Sequence, residues 1–145
     1  EFFFGKKTLV IMAHLGCPPA MLLFKDLQTL TVDKFQSVVI LENTIQQVKE
    51  FNSVENNVWS GIRHHFELEP ITFNIIAECE NSNIKNSGDN IILESQCRNL
   101  ARKIKTKDSP TLVFIDEKGE IISIIKGYFG DKERSERLRK LMEVQ

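Results

Sequence analysis

The chain lacks a long basic block, a long apolar run and a cysteine framework, and each absence removes a class of function. With no clustered Lys or Arg and a formal net charge of -1, neither nucleic acid nor an anionic membrane surface is expected as the main partner. No apolar stretch approaches the ~20 residues of a transmembrane helix, so no membrane span is expected. The three cysteines, Cys17, Cys79 and Cys97, are odd in number and too widely spaced for a disulfide scaffold or a zinc site. At least one thiol is left outside any intramolecular disulfide. His64 and His65 are adjacent, so on a helix they point about 100° apart. That suits a solvated face better than joint metal binding, and neither metal nor cofactor is expected. An initiator Met and a signal peptide are also lacking. Glu1-Phe2-Phe3-Phe4-Gly5-Lys6 reads as the start of a processed or excised piece.

What is present is an ordinary globular composition. Hydrophobic residues make up 41% and charged residues 27% of 145 positions, enough for a single domain over residues 1–145 with a sizeable core. The stretch from Thr8 to Leu30 organises it. Thr8-Leu9-Val10-Ile11-Met12-Ala13 is a nearly unbroken apolar run, the pattern of a strand buried on both faces. His14-Leu15-Gly16 reads as a turn. Cys17-Pro18-Pro19-Ala20 then opens a helix with Met21, Leu22, Phe24, Leu27 and Leu30 on its apolar side. Prolines fit a first helical turn, where their missing N–H has no intrahelical partner. A thiol at this point faces unpaired N–H groups and the positive end of the helix dipole, and both favour thiolate.

Phe35–Leu41 reads as a second buried strand, giving a strand–helix–strand unit with a right-handed crossover. From Thr44 to Glu69, Ile45, Val48, Phe51, Val54, Val58, Ile62 and Phe66 recur every three or four residues. This predicts helix, broken near Asn52-Ser53, with Ser53 capping the second part, Trp59 packed on the sheet and Pro70 as the stop. Ile71–Ala77 is a further strand. Glu80–Asn90, rich in Asn, Ser and Gly, reads as an exposed loop, followed by a helix from about Ile91 to Lys105 on the stripe Leu93, Cys97, Leu100 and Ile104. After Ser109-Pro110, Thr111–Asp116 and Glu120–Gly127 form an antiparallel hairpin around Glu117-Lys118-Gly119. Asp131 begins a last helix with Leu138, Leu141, Met142 and Val144 inward.

This order resembles the thioredoxin fold, and more narrowly the TlpA-like and AhpC/TSA-like branch of thiol–disulfide oxidoreductases. Two motifs carry the resemblance, which spans about Lys6 to Val144. Gly16-Cys17-Pro18-Pro19 matches the start of the family's Cys-Pro-Pro-Cys site. Ser109-Pro110-Thr111, with the hairpin that follows, matches its cis-proline loop. The resemblance implies an α/β domain: a mixed central sheet with helices on both faces, and residues 43–90 inserted relative to the minimal fold. It also implies a cis bond at Ser109–Pro110, a loop there that pairs with substrate backbone, and Cys17 as nucleophile. Partners would be protein or low-molecular-weight thiols and disulfides, and the compartment exported or periplasmic.

The departures are as specific as the matches. The family's second cysteine is replaced by Ala20, and its frequent Trp before the first cysteine by Gly16. The first strand carries Ile11 and Met12 where many thioredoxins place a buried acid. Peroxiredoxins have Thr or Ser where His14 stands and an Arg near Ser109-Pro110, so one-cysteine peroxidase chemistry is disfavoured. Cys17 is left with two readings. It is a lone nucleophile that forms mixed disulfides, with His14 near enough in sequence to share a proton, or it is a vestige in a redox-inactive binding module. Cys97 reads as a small core residue and Cys79 as a structural or surface thiol. Ala20 is read as natural or as a substituted cysteine.

Overall fold

The computed structural model describes residues 5–29, 35–79, 84–87, 90–93, 110–128 and 132–143. In chain order the elements are β1 (Thr8–Ala13), α1 (Pro18–Thr29), β2 (Gln36–Thr44), α2 (Ile45–Asn52) and α3 (Val58–His65). They continue with β3 (Asn74–Cys79), β4 (Ile84–Ser87), β5 (Asn90–Leu93), β6 (Thr111–Ile115), β7 (Ile121–Lys126) and α4 (Lys132–Glu143). Five strands form one mixed sheet in the order β3-β2-β1-β6-β7. β1 runs parallel to β2 and antiparallel to β6, which is why its six residues are all buried. The α/β class and the mixed five-stranded sheet agree with expectation.

Alternation along the strands divides the core. Leu9, Ile11 and Ala13 of β1 join Val39, Leu41, Leu112, Phe114 and Ile125 in a cluster that also takes residues from each of the four described helices. Val10, Met12, Val38, Ile40 and Val113 form a second cluster on the opposite side of the strands. The helix expected up to Lys105 falls on residues 94–105, which lie outside the described residues. Its expected start does not hold: Ile91-Ile92-Leu93 belongs to β5, which pairs antiparallel with β4. The Asn- and Ser-rich composition read as a loop thus contains a hairpin.

Other boundaries shift for identifiable reasons. On α1 the buried positions are Ala20, Met21, Leu23, Phe24 and Leu27, so Leu23 replaces Leu22 on the core side. Ser53 does not cap α3; it closes α2. Asn57 caps α3 instead, its side chain accepting from the Ser60 N–H while Ser60 Oγ accepts from the Asn57 N–H. The break resets the helical phase, leaving Ile45, Val54 and Val58 exposed. Pro70 is not the stop either. Glu67 adopts φ 55, the Leu68 N–H reaches the Arg63 carbonyl and the Glu67 N–H the His64 carbonyl. That double bond closes α3 two residues past its end.

A polar tie holds α1 to α4. The Tyr128 hydroxyl donates to the Asp26 carboxylate and lies 3.1 Å from Ser135 Oγ. Tyr128 is fully buried, and burial, then the bond to Asp26, pushes its pKa up to about 12. The unfolded phenol titrates near ~10. The resulting stabilisation is therefore complete below pH ~10 and lost as pH rises through about 12, on the order of 2–3 kcal/mol. Tyr128 is the chain's one tyrosine, so tyrosinate absorbance reads it alone. The native protein should titrate near 12 and the denatured chain near ~10. A native midpoint equal to the denatured one would refute this account.

Candidate functional site

The C-terminal end of β1 delivers Cys17 through a tight turn. The Cys17 N–H donates to the His14 carbonyl at 3.2 Å, and Gly16 has φ +91. A glycine at the third position with positive φ is what a type II turn requires. The Cys17 carbonyl then accepts from the Met21 N–H at 3.0 Å, the first bond of α1. Cys17 thus stands at the cap of α1, half-buried.

The first turn is sparse in donors. Pro18 and Pro19 carry no N–H, and that of Met21 is used by the Cys17 carbonyl. The Ala20 N–H is the one left in that turn for a side-chain acceptor at the cap. Sequence reasoning had counted several such groups; two prolines at N1 and N2 reduce them. Ala20 itself is fully buried and part of the main core.

Pro110 reaches the same end of the sheet. Met12 of β1 lies opposite Thr111 of β6, so the residue before Thr111 falls beside the end of β1, just ahead of the turn that carries Cys17. Pro110 is buried and its carbonyl accepts from the Gly127 N–H at 2.8 Å. Ser109 lies outside the described residues. His14 is half-buried, its ring 6.5 Å from that of Trp59 and tilted by 60°. His64 and His65 are exposed. Cys79 ends β3 and Cys97 lies outside the described residues. Among the described residues no group of three His, Cys, Asp or Glu is placed to hold a metal, and no helix is long and apolar enough to cross a membrane.

Two residues not singled out for the site support its loop. Asn43 is fully buried near the end of β2, where the ladder to β3 shifts register between Leu41 and Thr44. Its Oδ1 accepts the Leu15 N–H at 2.9 Å, and its Nδ2 donates to Gln47 Oε1. Trp59 of α3 was expected on the sheet. It belongs to the main core, but its indole also reaches the loop: a Cβ at Gly16 would lie 3.8 Å from Trp59 Cζ3 and 3.6 Å from Ile62 Cδ1. The one available signal was a polar Asn following the apolar run of β2.

No protein-family model matches the chain, and no curated protein matches it by sequence. Solved structures do. A structure from Chlorobium tepidum, described as that of a thiol:disulfide interchange protein DsbE, superposes with TM-score 0.58 at 13% identity, covering 96% of this chain and 79% of that one. A thiol-disulfide isomerase from Corynebacterium glutamicum gives 0.51 at 15%, covering 99% and 84%. StoA from Bacillus subtilis gives 0.50 at 17%, covering 95% and 83%. The fold is thioredoxin-like. At these identities the likeness speaks for the fold alone. In this thioredoxin-like chain, the turn after β1 and the start of β6 meet at one sheet end, with Cys17 and Pro110 on them.

Proposed function

We propose that the protein carries out thiol–disulfide exchange through Cys17 as its single active-site cysteine. One observation carries the reading: a half-buried thiol at the cap of α1, on the sheet end to which β6 brings Pro110. The Cys17 thiolate attacks one sulfur of a protein or low-molecular-weight disulfide. A new bond joins Cys17 to that sulfur, the old S–S bond breaks, and the second sulfur leaves as thiolate. The N-terminus of α1, through the Ala20 N–H, favours the attacking anion. The backbone at Pro110 is the surface against which substrate lies. An external thiol then attacks the mixed disulfide and restores Cys17. Ala20, buried where the second thiol of a two-cysteine site would stand, favours a rival reading: a redox-inactive module that binds partners in the same groove.

Incubation with oxidised glutathione, followed by intact mass and peptide mapping, separates the two. A single glutathione adduct at Cys17 is expected, absent from Cys17→Ser. It should form at least ~10-fold faster in the folded protein than in the denatured chain, because alignment with the helix is lost on unfolding. Equal rates would leave the binding module as the better reading.

A further inference from the structure

The turn that presents Cys17 is held from outside by one segment, residues 43–62, at three points. Asn43 Oδ1 takes the Leu15 N–H. The His14 ring tilts over the Trp59 indole. The space that a side chain at Gly16 would enter is lined by Trp59 and Ile62. None of these partners is a neighbour in sequence; Asn43 lies 28 residues from Leu15. The lever itself is rigid. Gln47 Oε1 accepts from both Asn43 Nδ2 and the Thr44 N–H, while the Thr44 hydroxyl caps α2 by accepting the Gln47 N–H. At the far side, Asn57 and Ser60 lock the start of α3 one residue from Trp59.

From this geometry we infer that Asn43 and Trp59 are positioning residues that set the reactivity of Cys17. The inference rests on the exchange chemistry proposed above, but its physical basis is separate. A type II turn is a short, adaptable element, and its own hydrogen bond, His14 to Cys17, fixes the turn without fixing its tilt on α1. Asn43 holds the second residue of the turn, and Trp59 packs beside the first, His14, and lines the space next to the third. Together they fix where the thiol lies relative to the first turn of α1, in which a single N–H is left for it. With so few donors, small tilts matter: misplacement by about 1 Å can cost on the order of 10²-fold in an oriented reaction. A large flat ring suits this task, because it offers wide contact with few rotatable bonds. The positive φ of Gly16 accounts for the glycine itself, whereas the nearness of Trp59 and Ile62 to the turn is a separate feature of the packing.

The experiment measures alkylation of Cys17 by iodoacetamide at neutral pH, read at the Cys17 peptide by mass spectrometry. Each rate is divided by that of the same variant in urea. Trp59→Ala and Asn43→Ala should each lower this ratio at least fivefold. Trp59→Phe, which keeps an aromatic wedge, should recover most of it. Leu138→Ala truncates the core on α4 and should lower the thermal midpoint while leaving the ratio unchanged. In the wild-type protein, carbamidomethylation of Cys17 should alter the emission of Trp59, the chain's one tryptophan. Ratios within twofold of wild type in folded Trp59→Ala and Asn43→Ala would overturn the inference, as would a rise. Should Trp59→Ala not fold, Asn43→Ala and Trp59→Phe decide it alone. Alkylation is read whether or not Cys17 exchanges with disulfides. A wild-type protein that forms no glutathione adduct therefore defeats the exchange chemistry, whereas unchanged variant ratios defeat the positioning role.

Discussion

Ala20→Cys is expected to turn a stoichiometric thiol into a catalyst of insulin reduction by dithiothreitol, with a rate at least ~10-fold above that of the wild-type protein, for which little or none is expected. Position 20 is the third residue of α1 and follows Cys17 by three. Side chains three apart on a helix share a face, and their Cα separation falls within the ~4.4–6.8 Å that disulfides span. On the chemistry proposed above, a mixed disulfide at Cys17 of the wild-type chain waits for an external thiol. With the introduced thiol, an internal attack on the Cys17 sulfur releases the substrate thiol and leaves an intramolecular disulfide that dithiothreitol reduces. Effective concentration decides the gain, since the second thiol arrives with the first. Ala20 is fully buried, so the added sulfur must find room in a packed core at a cost of roughly 1–3 kcal/mol. The substitution should therefore lower the thermal midpoint while raising activity. Mass spectrometry would show the loss of two hydrogens on mild oxidation. A variant that forms this bond and still gives no turnover would mean that the groove does not receive substrate.

Arg63→Met should destabilise the fold by about 3–5 kcal/mol, a larger effect than most single substitutions produce. Arg63 is only 6% exposed. Its Nε donates to the Phe51 carbonyl at 2.7 Å, Nη2 to that of Ser53 at 3.0 Å and Nη1 to that of Leu68 at 3.1 Å. Phe51 and Ser53 are at the C-terminal end of α2, where carbonyls lack helical partners and the helix dipole is negative. The guanidinium therefore serves the C-terminal end of one helix from the last turn of another. Methionine keeps the stem's apolar packing but strands three carbonyls, each worth about 1–3 kcal/mol when left unsatisfied. Relief of burying a cation offsets part of this, which keeps the total below their sum. Arg63→Lys should recover less than half, because a point charge cannot serve three acceptors held in a fork. Urea unfolding followed by Trp59 emission measures both. A loss under ~1 kcal/mol for Arg63→Met would show that water replaces the guanidinium at these carbonyls.

The legible parts of the chain share a local cause. β1, β6 and the inward side of α4 are written as runs and alternations, because neighbouring residues face the same core. The cysteine at a strand-to-helix junction was legible for the same reason. Asn43 and Arg63 were not. A buried Asn and a buried Arg look like surface residues until the chain brings Leu15, Phe51 and Leu68 to them. The end of α3 was misjudged because Pro70 is a visible breaker, while Glu67 in a left-handed conformation leaves no trace in composition. Ile91-Ile92-Leu93 misled in the opposite way: three apolar residues in a row satisfy a helical stripe as readily as a strand.

The register of β1 against β6 has a kinetic side. Cys17 and the residues that support its turn, Asn43 and Trp59, are made early, and the parallel pairing of β1 with β2 needs only the first third of the chain. Pro110 leaves the ribosome about ninety residues after Cys17, on the order of ten seconds later at ordinary rates of synthesis. During that interval the edge of β1 that will receive β6 is open, and the thiol stands beside half a groove. The nascent chain thus carries the Cys17 sulfur before it carries the proline that will stand at the same end of the sheet.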